Sequence, residues 1–333
     1  MFFIFLIIRI GFANSQTVLE FSEIDAFARS APKNIQPIDE LISYFSEKSS
    51  TQLEKARMIY VWLAENISYD DRAYNSKNIG DNSASSVFKS KKAVCAGFAN
   101  LYTEIGKKLG LDIVTISGVA KGYEFEEYLS DNLNESINHA WNLIRIDAEW
   151  RVFDATWGEG FGAANKKGKL ESSKKFDNTW FNVDPKDAIF SHLPDDINKQ
   201  YINPPISFES FLAMPFLVPS VFETGWISSD ELLLKIKDKK RIDLPELTSP
   251  LEKLKLTAPA ERVLKRGKPN EFIVESTEVR KVFLYVNEED AIPFTIDGTK
   301  HKYTLNTKTP GTYQVVVSNQ NDQLYTILEY VIE

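Results

Sequence analysis

Apolar residues between positions 93 and 110 recur in steps of three and four, the spacing of a helix with one buried face. The run is made of Phe98, Leu101, Tyr102, Ile105 and Leu109. Gly110 follows directly and is a residue that commonly ends helices. The pattern therefore predicts a helix that begins close to Cys95 and stops at Gly110.

The chain upstream also reads as helical. Residues 20–48 have the pattern of two short helices broken by P-K-N-I-Q-P. Residues 51–66 form a longer pattern, opened by Thr51 and Glu54 in the spacing of a capping box. Residues 75–86 are polar and rich in Gly, Ser and Asn, which predicts a loop before the helix of Cys95.

Two β-rich runs, 138–146 and 149–156, are separated only by Asp147 and Ala148, which predicts a hairpin. A two-residue loop pairs Ile146 with Glu149, so paired residue numbers sum to about 295. Side chains alternate between the two faces of a strand. This register puts His139, Trp141, Asp154 and Thr156 on one face, with His139 and Asp154 in reach of a hydrogen bond.

Residues 113–119 predict one more strand in this part of the chain. From about residue 258 onward, short β-rich runs alternate with turn residues, which favours a small sandwich. Tyr313 enters one of these runs in the manner of the tyrosine corner of Ig-like domains. The predicted organisation is an N-terminal segment at 1–16, a domain at 17–227, a linker at 228–257 and a β-domain at 258–333.

The net charge and the first residues of the chain exclude some classes of function and indicate a location. The net charge of −8 argues against nucleic-acid binding, which needs a basic footprint. Residues 1–16 are apolar through Ala13 except for Arg9 and end in A-N-S-Q, with small residues suited to cleavage, which predicts a cleaved signal peptide and a secreted or periplasmic protein. The segment is shorter than the roughly 20 apolar residues that span a bilayer, so no transmembrane span is expected.

The candidate chemistry lies on the helix and the hairpin. Cys95 is the single cysteine of the chain, and its position at a helix N-terminus favours a thiolate. Cys95, His139 and Asp154 together have the composition of a thiol triad. The alternative is a buried free cysteine that acts as a small apolar residue. The sequence has no H-E-x-x-H, G-x-S-x-G or phosphate loop, and His192 in S-H-L-P reads as structural, so we expect neither metal nor cofactor.

Four segments resemble the transglutaminase-like superfamily, and within it the kyphoscoliosis-peptidase-like branch. They are V-C-A-G-F-A-N-L, S-G-V-A-K-G, N-H-A-W-N-L-I and W-R-V-F-D-A-T-W-G, with W-F-N-V-D-P-K-D-A-I-F-S-H-L-P downstream. The resemblance covers about residues 50–215 and implies a papain-like α+β core. It also implies that Cys95 is the nucleophile, His139 the base and Asp154 its orienting group. The chain departs from the family at Ala148, where the family's hairpin usually has Gly.

The resulting expectation is an α+β protein with a transglutaminase-like core and an Ig-like sandwich. Its predicted function is thiol acyl transfer on peptide or glutamine amides of a protein or peptide substrate, through a thioester. Trp141 and Tyr69 are the predicted substrate-binding residues, with packing at a helix exit as the alternative for Tyr69. Hydrolysis, crosslinking and deamidation remain open, as does the oligomeric state. The rival hypothesis is a non-catalytic scaffold on the same fold.

Overall fold

The structure is a computed structural model that describes residues 21–123, 125–238, 240–245, 254–306 and 308–333. The chain divides into two compact units. The first contains the residues up to Ser117 and His139–Asn182, and the second contains Gly118–Asn138 and Val183–Glu333. The predicted signal segment at 1–16, and residues 246–253 of the predicted linker, lie outside the described residues.

The first unit is built around a helix that is buried on all sides. This helix starts with the predicted capping box, in which the Thr51 side chain accepts from the Glu54 N–H and the Glu54 carboxylate accepts from the Thr51 N–H. Every residue from Ala56 to Ala64 is buried, so the helix crosses the interior and does not lie on its surface. The helices of this unit are α1 Ser22–Arg29, α2 Ile38–Ser46, α3 Gln52–Asn66, α4 Asp71–Ser76, α5 Ala84–Ser90, α6 Cys95–Lys108 and α7 Ala155–Glu159.

Helix α6 is the element predicted from the apolar spacing. It begins at Cys95, and its five predicted apolar positions are all buried. At its end Gly110 takes the left-handed conformation with φ +80°. The Gly110 N–H donates to Lys107 O at 3.0 Å and the Leu111 N–H to Gly106 O at 2.9 Å. This pair of bonds is a Schellman motif, and it confirms the predicted stop.

The strands of the first unit include the predicted hairpin, and its register is confirmed. Ile146 pairs with Glu149 and Asn142 with Phe153, as the two-residue loop requires. The strands are β1 Ser68–Tyr69, β2 Lys92–Ala93, β4 His139–Ile146, β5 Glu149–Phe153, β6 Gly160–Ala164 and β7 Leu170–Lys174. Strand β3 Ile113–Ala120 contains the boundary between the two units, which falls after Ser117.

The second predicted strand of the hairpin is shorter than expected. Residues 154–156 were assigned to it, but β5 ends at Phe153 and α7 begins at Ala155. The Asp154 carboxylate accepts the Thr156 and Trp157 N–H groups, which makes Asp154 the N-cap of α7. This local bond satisfies amides that a strand would have had to pair across the sheet. The predicted loop at 75–86 is likewise corrected at both ends, because α4 and α5 extend into it.

We expect Ala148→Gly to raise the free energy of unfolding by about 0.5–1 kcal/mol. Both loop residues have positive φ, 49° at Asp147 and 72° at Ala148. This conformation costs residues with a Cβ about 1–2 kcal/mol, and glycine adopts it freely. Urea unfolding followed by tryptophan fluorescence measures the change, because five of the six tryptophans lie in the first unit. An unchanged or lower midpoint would show that the turn is unstrained.

The second unit contains one apolar core shared by helical segments and β-strands. The core joins Phe211, Val221, Trp226 and Leu232 to buried strand residues such as Phe272. Its helices are α8 Pro185–Ala188, α9 Phe208–Ala213, α10 Pro219–Glu223 and α11 Ser229–Lys237. Short 3₁₀ turns occur at Phe125–Tyr128, Leu133–Glu135 and Ile197–Lys199. Residues 183–232, which the sequence predicts to belong with the N-terminal domain and its linker, therefore contribute buried apolar side chains such as Phe190 and Phe211 to this unit. The predicted domain boundaries otherwise stay a prediction.

The C-terminal strands form two antiparallel four-stranded sheets, which confirms the predicted all-β segment. In the first sheet the neighbouring strands are, in order, 295–297, 300–305, 270–275 and 255–257. In the second sheet they are 290–293, 279–286, 311–319 and 324–332. Phe272 and Tyr330, one from each sheet, meet edge to face at 5.4 Å. Tyr313 is buried and donates its hydroxyl to Thr309 O at 2.9 Å, the predicted tyrosine corner. The strands of this unit are β8 His192–Pro194, β9 Lys255–Thr257, β10 Asn270–Glu275, β11 Val279–Val286, β12 Asp290–Pro293, β13 Thr295–Asp297, β14 Lys300–Leu305, β15 Gly311–Asn319 and β16 Leu324–Ile332.

His192 does not lie in a turn, as the sequence suggested. It opens β8 and pairs with Ala120 at the end of β3. Its side chain is buried, and its Nδ1 atom lies 2.8 Å from the Ser191 hydroxyl. Among the residues that the structure describes, no helix has the length and apolar character needed to cross a bilayer.

Candidate active site

Cys95 is the first residue of α6, where helix N–H groups and the macrodipole favour a negative charge. Val94 provides an extended N-cap, and Cys95 itself is partly exposed. Gly97 allows the helix to approach the chain behind it. A Cβ at Gly97 would lie 2.6 Å from the Ala93 Cβ and 2.8 Å from Val87 Cγ2. The sequence A-V-C-A-G thus combines a partly exposed cysteine with a first turn that packs closely.

His139 is the first residue of β4 and Asp154 follows the last residue of β5, and their side chains meet. His139 Nε2 is 2.6 Å from Asp154 Oδ2. The Asp154 side chain is fully buried, and that of His139 is 8% exposed. Since Nε2 faces the carboxylate, Nδ1 is the ring nitrogen left for Cys95. A hydrogen bond joins His139 to the Cys95 side chain, so all three predicted residues come together.

The Asp154 carboxylate is held by more than the histidine. Its Oδ1 atom accepts the Thr156 N–H at 2.8 Å and the Trp157 N–H at 3.1 Å. Its own N–H donates to Trp180 O at 3.0 Å. Both carboxylate oxygens therefore have assigned partners, and the orientation of the group toward His139 is fixed by the start of α7.

The pKa of His139 is raised to about 10, from an ordinary value of 6.5. Burial is the largest single influence and on its own lowers the pKa. The charge and hydrogen bond of Asp154, together with those of Cys95, outweigh it. The ring therefore stays protonated at neutral pH and loses its proton only as the pH rises through about 10.

Two indole rings pack against the imidazole, and a third packs behind one of them. The Trp141 ring stacks on His139 at 6.0 Å between centroids, and the Trp157 ring lies at 5.3 Å. Trp180 meets Trp157 edge to face at 4.6 Å. Aromatic faces stabilise a cation and keep water from it. Trp141 is only 1% exposed, so what the structure shows for it is packing against His139, and its predicted contact with substrate stays a prediction.

Tyr69, the other predicted substrate-binding residue, lies on the strand beside the nucleophile. It pairs with Ala93 in a short parallel ladder, two residues before Cys95. Its ring is half-buried and lies 6.0 Å from that of Tyr74. Tyr69 therefore lies on the strand that pairs with the residues just before Cys95, and part of its side chain is exposed. Its role in binding substrate stays a prediction.

A buried arginine that sequence reasoning missed anchors the segment that supports Asp154. Arg57 on α3 donates from Nη2 to Asn178 Oδ1 at 2.7 Å, and Tyr60 donates its hydroxyl to Asp177 O at 2.7 Å. Two residues later, Trp180 O accepts the Asp154 N–H. The signal available in the sequence was a charged residue inside an apolar helical run. Its partners lie up to 121 residues away, beyond the reach of a periodicity argument.

Comparison with known proteins places these residues in a family context. Residues 39–155, which include Cys95, His139 and Asp154, match the sequence model of the transglutaminase-like superfamily. Human kyphoscoliosis peptidase is 25% identical over 210 residues, covering 63% of this chain and 31% of that protein. Cytokinesis protein 3 of Schizosaccharomyces pombe is 26% identical over 210 residues, covering 62% of this chain and 23% of that protein. Drosophila melanogaster Hillarin is 24% identical over 227 residues, covering 64% of this chain and 27% of that protein.

A solved structure is also among the matches. A TGase crystal structure covers 48% of this chain and 36% of its own, at 21% identity and a TM-score of 0.29. The chain spans less than a third of the length of the curated relatives just named.

The prediction of a secreted or periplasmic protein is wrong. The matching relatives are proteins of animals and yeasts, and two of them are named for cytokinesis, a process of the cell interior. Residues 1–16, on which the prediction rested, lie outside the described residues. An apolar run with small residues after it is a compositional signal only.

The family resemblance drawn from the motifs is confirmed. The motifs around Cys95, His139 and Asp154 lie within the matched region, and kyphoscoliosis peptidases are among the relatives that match. The chain is α+β, with antiparallel sheets toward its C-terminus. The similarity to the transglutaminase-like superfamily thus extends over residues 39–155.

Proposed function

We propose that this chain is a thiol acyl-transfer enzyme that acts on peptide or glutamine amide bonds of a protein or peptide substrate. Cys95 is the nucleophile, His139 carries the proton and Asp154 orients the imidazole. The observation that carries the proposal is the continuous set of hydrogen bonds from Cys95 through His139 to Asp154. A buried histidine with one nitrogen facing a carboxylate and the other facing a thiol is the arrangement that thiol catalysis needs.

The first half of the reaction forms a thioester. The Cys95 sulfur bonds to the amide carbonyl carbon, and the Cys95 N–H at the start of α6 stabilises the developing oxyanion. The carbon–nitrogen bond then breaks, and the His139 imidazolium gives its proton to the departing amine or ammonia. The raised pKa of His139, to about 10, keeps this proton available at neutral pH.

The second half releases the acyl group. Water or a primary amine attacks the thioester carbon, and the neutral His139 ring takes the proton of the attacking group. Sulfur leaves as the thiolate, and the ion pair with His139 is restored. Attack by water gives a carboxylic acid, while attack by an amine gives a new amide, so one site supports hydrolysis, deamidation or crosslinking.

Trapping of the acyl enzyme tests the proposal. The full chain is incubated with a library of glutamine-containing peptides, and the intact protein is then analysed by mass spectrometry. We expect a peptide adduct on Cys95 with loss of ammonia or of an amine, and none on Cys95→Ala. Added dansylcadaverine then distinguishes amine transfer from hydrolysis by whether the label appears on the released peptide.

The scaffold hypothesis predicts a different result. A protein without acyl-transfer chemistry would give no adduct from any peptide class, and its Cys95 would react with alkylating agents at a rate set by exposure alone. Both results together would overturn the enzymatic proposal.

A further inference from the structure

Asn142 is a buried polar residue that the acyl-transfer scheme does not use. It lies on β4, three residues after His139, and only 1% of its surface is exposed. Its side-chain amide donates to Ala99 O at 3.0 Å and to Thr103 Oγ1 at 2.9 Å. Both acceptors belong to α6, the helix that begins at Cys95. One side chain therefore links the strand of the base to the helix of the nucleophile.

The two bonds constrain how α6 lies on β4. Ala99 and Thr103 are four residues apart, so they face the strand from successive turns. An apolar side chain at this position would also be buried, but it would not be directional. A buried amide that loses its partners costs about 1–3 kcal/mol, so the arrangement with both bonds is strongly preferred over one in which the helix has moved.

The hydrogen bonds of Asn142 lie a short distance from Cys95 along the helix and from His139 along the strand, and both elements are rigid. Ala99 is four residues from Cys95, about 6 Å along the helix axis. Asn142 is three residues from His139, about 10 Å along the strand. Helices and strands transmit a displacement along their length, because packed interiors are nearly incompressible. A shift of α6 at Ala99 is therefore passed on to the distance between the Cys95 sulfur and the His139 ring.

We propose that Asn142 is a positioning residue that sets the Cys95–His139 distance, and the inference rests on the acyl-transfer function proposed above. The network continues outward, since Thr103 Oγ1 lies 2.8 Å from Thr115 Oγ1 on β3. Thr115 is exposed, and its hydroxyl also donates to Ala99 O at 3.4 Å, so Thr115→Val removes contacts to both acceptors while leaving the two Asn142 donors in place, which makes it a matched control.

The test is the rate of Cys95 alkylation by iodoacetamide as a function of pH, in the full chain. The single cysteine makes the reaction specific. Asn142→Leu, which removes both donors, is expected to lower the rate at neutral pH by about tenfold or more, since misplacements of about 1 Å have effects of this size. In a His139→Ala background the same substitution should have no further effect. Thr115→Val should retain the parent profile.

A purely structural role gives a different pattern. In that case Asn142→Leu lowers the unfolding midpoint, but the folded variant keeps the alkylation profile of the parent and the same dependence on His139. This result would overturn the inference. If circular dichroism shows that Asn142→Leu does not fold, Thr103→Val is used in its place, because it removes one of the two hydrogen bonds of Asn142. A shift in the same direction supports the inference, and an unchanged profile overturns it. If His139→Ala itself has no effect on the parent, the acyl-transfer proposal fails, and the positioning inference fails with it.

Discussion

Arg57→Ala is expected to lower the free energy of unfolding of the first unit by about 3–5 kcal/mol, the size typical of breaking a buried ion pair from one side. Arg57 is 4% exposed, and two of its nitrogens each lie 2.7 Å from an Asp25 carboxylate oxygen. Its guanidinium carbon also lies 4.8 Å from the ring centroid of Phe181. Removing the arginine leaves the Asp25 carboxylate without its bidentate partner and Asn178 without a donor. Denaturant unfolding followed by tryptophan fluorescence measures the loss.

Arg29→Ala is the matched control. Its ion pair with Glu65 is 3.0 Å long, and both of these side chains are well exposed, at 43% and 38%; the Arg29 Nη1 atom lies 3.9 Å from Asp25 Oδ2, beyond hydrogen-bond distance. Exposed pairs contribute about 0–1 kcal/mol, so this variant should unfold close to the parent. Removing both charges with Asp25→Leu and Arg57→Met should recover part of the loss. Equal, small effects from Arg57→Ala and Arg29→Ala would contradict the role given to the buried pair.

Asp154→Asn is expected to reduce turnover by about 10²–10⁴-fold while leaving the fold intact. Asparagine has the shape of aspartate, and its oxygen can still accept the Thr156 and Trp157 N–H groups at the start of α7. That cap forces the new NH₂ group toward His139 Nε2. The histidine must then accept at Nε2, so its neutral ring carries the proton on Nδ1, where it cannot take a proton from Cys95. Initial rates on the peptide identified by acyl-enzyme trapping measure the effect.

An Asp→Asn substitution at the N-cap of another helix distinguishes loss of the histidine tautomer from loss of a helix cap. Asp184 caps α8 by accepting the Lys186 N–H at 2.9 Å. Asp184→Asn should keep the parent's turnover, because this carboxylate caps α8 and is not one of the three proposed catalytic residues. Turnover of Asp154→Asn within about tenfold of the parent would show that the His139 tautomer does not limit the reaction.

Much of this site could be read from the sequence because its determinants are local. A two-residue loop fixes the register of a hairpin, so the meeting of His139 and Asp154 followed from counting. The apolar spacing and Gly110 fixed both ends of the helix that carries Cys95. The capping box at Thr51 and Glu54 was visible for the same reason, since each of these signals spans only a few residues.

What the sequence did not show depends on distant partners or on competition between two local structures. The hydrogen bonds of Asn142 reach back 43 and 39 residues, and no spacing rule indicates them. Asp154 was expected to continue a strand, but its carboxylate caps a helix instead, and hydrophobic pattern alone cannot decide between those states. The apolar residues of α9 and α10 carry no mark of the unit in which they are buried. Their place in the second unit is therefore known from the structure and not from the sequence pattern.

The central claim is that His139 activates Cys95, and the pH profile of Cys95 alkylation in the parent and in His139→Ala tests it most directly. In the parent, the imidazolium is retained until the pH rises through about 10, so it can stabilise a thiolate across the neutral range. The account predicts fast alkylation by iodoacetamide at neutral pH in the parent. In His139→Ala it predicts slow alkylation that rises only where free thiols ionise, near about pH 8.5. Superimposable profiles for the two proteins would contradict the pair and favour a scaffold without thiol chemistry.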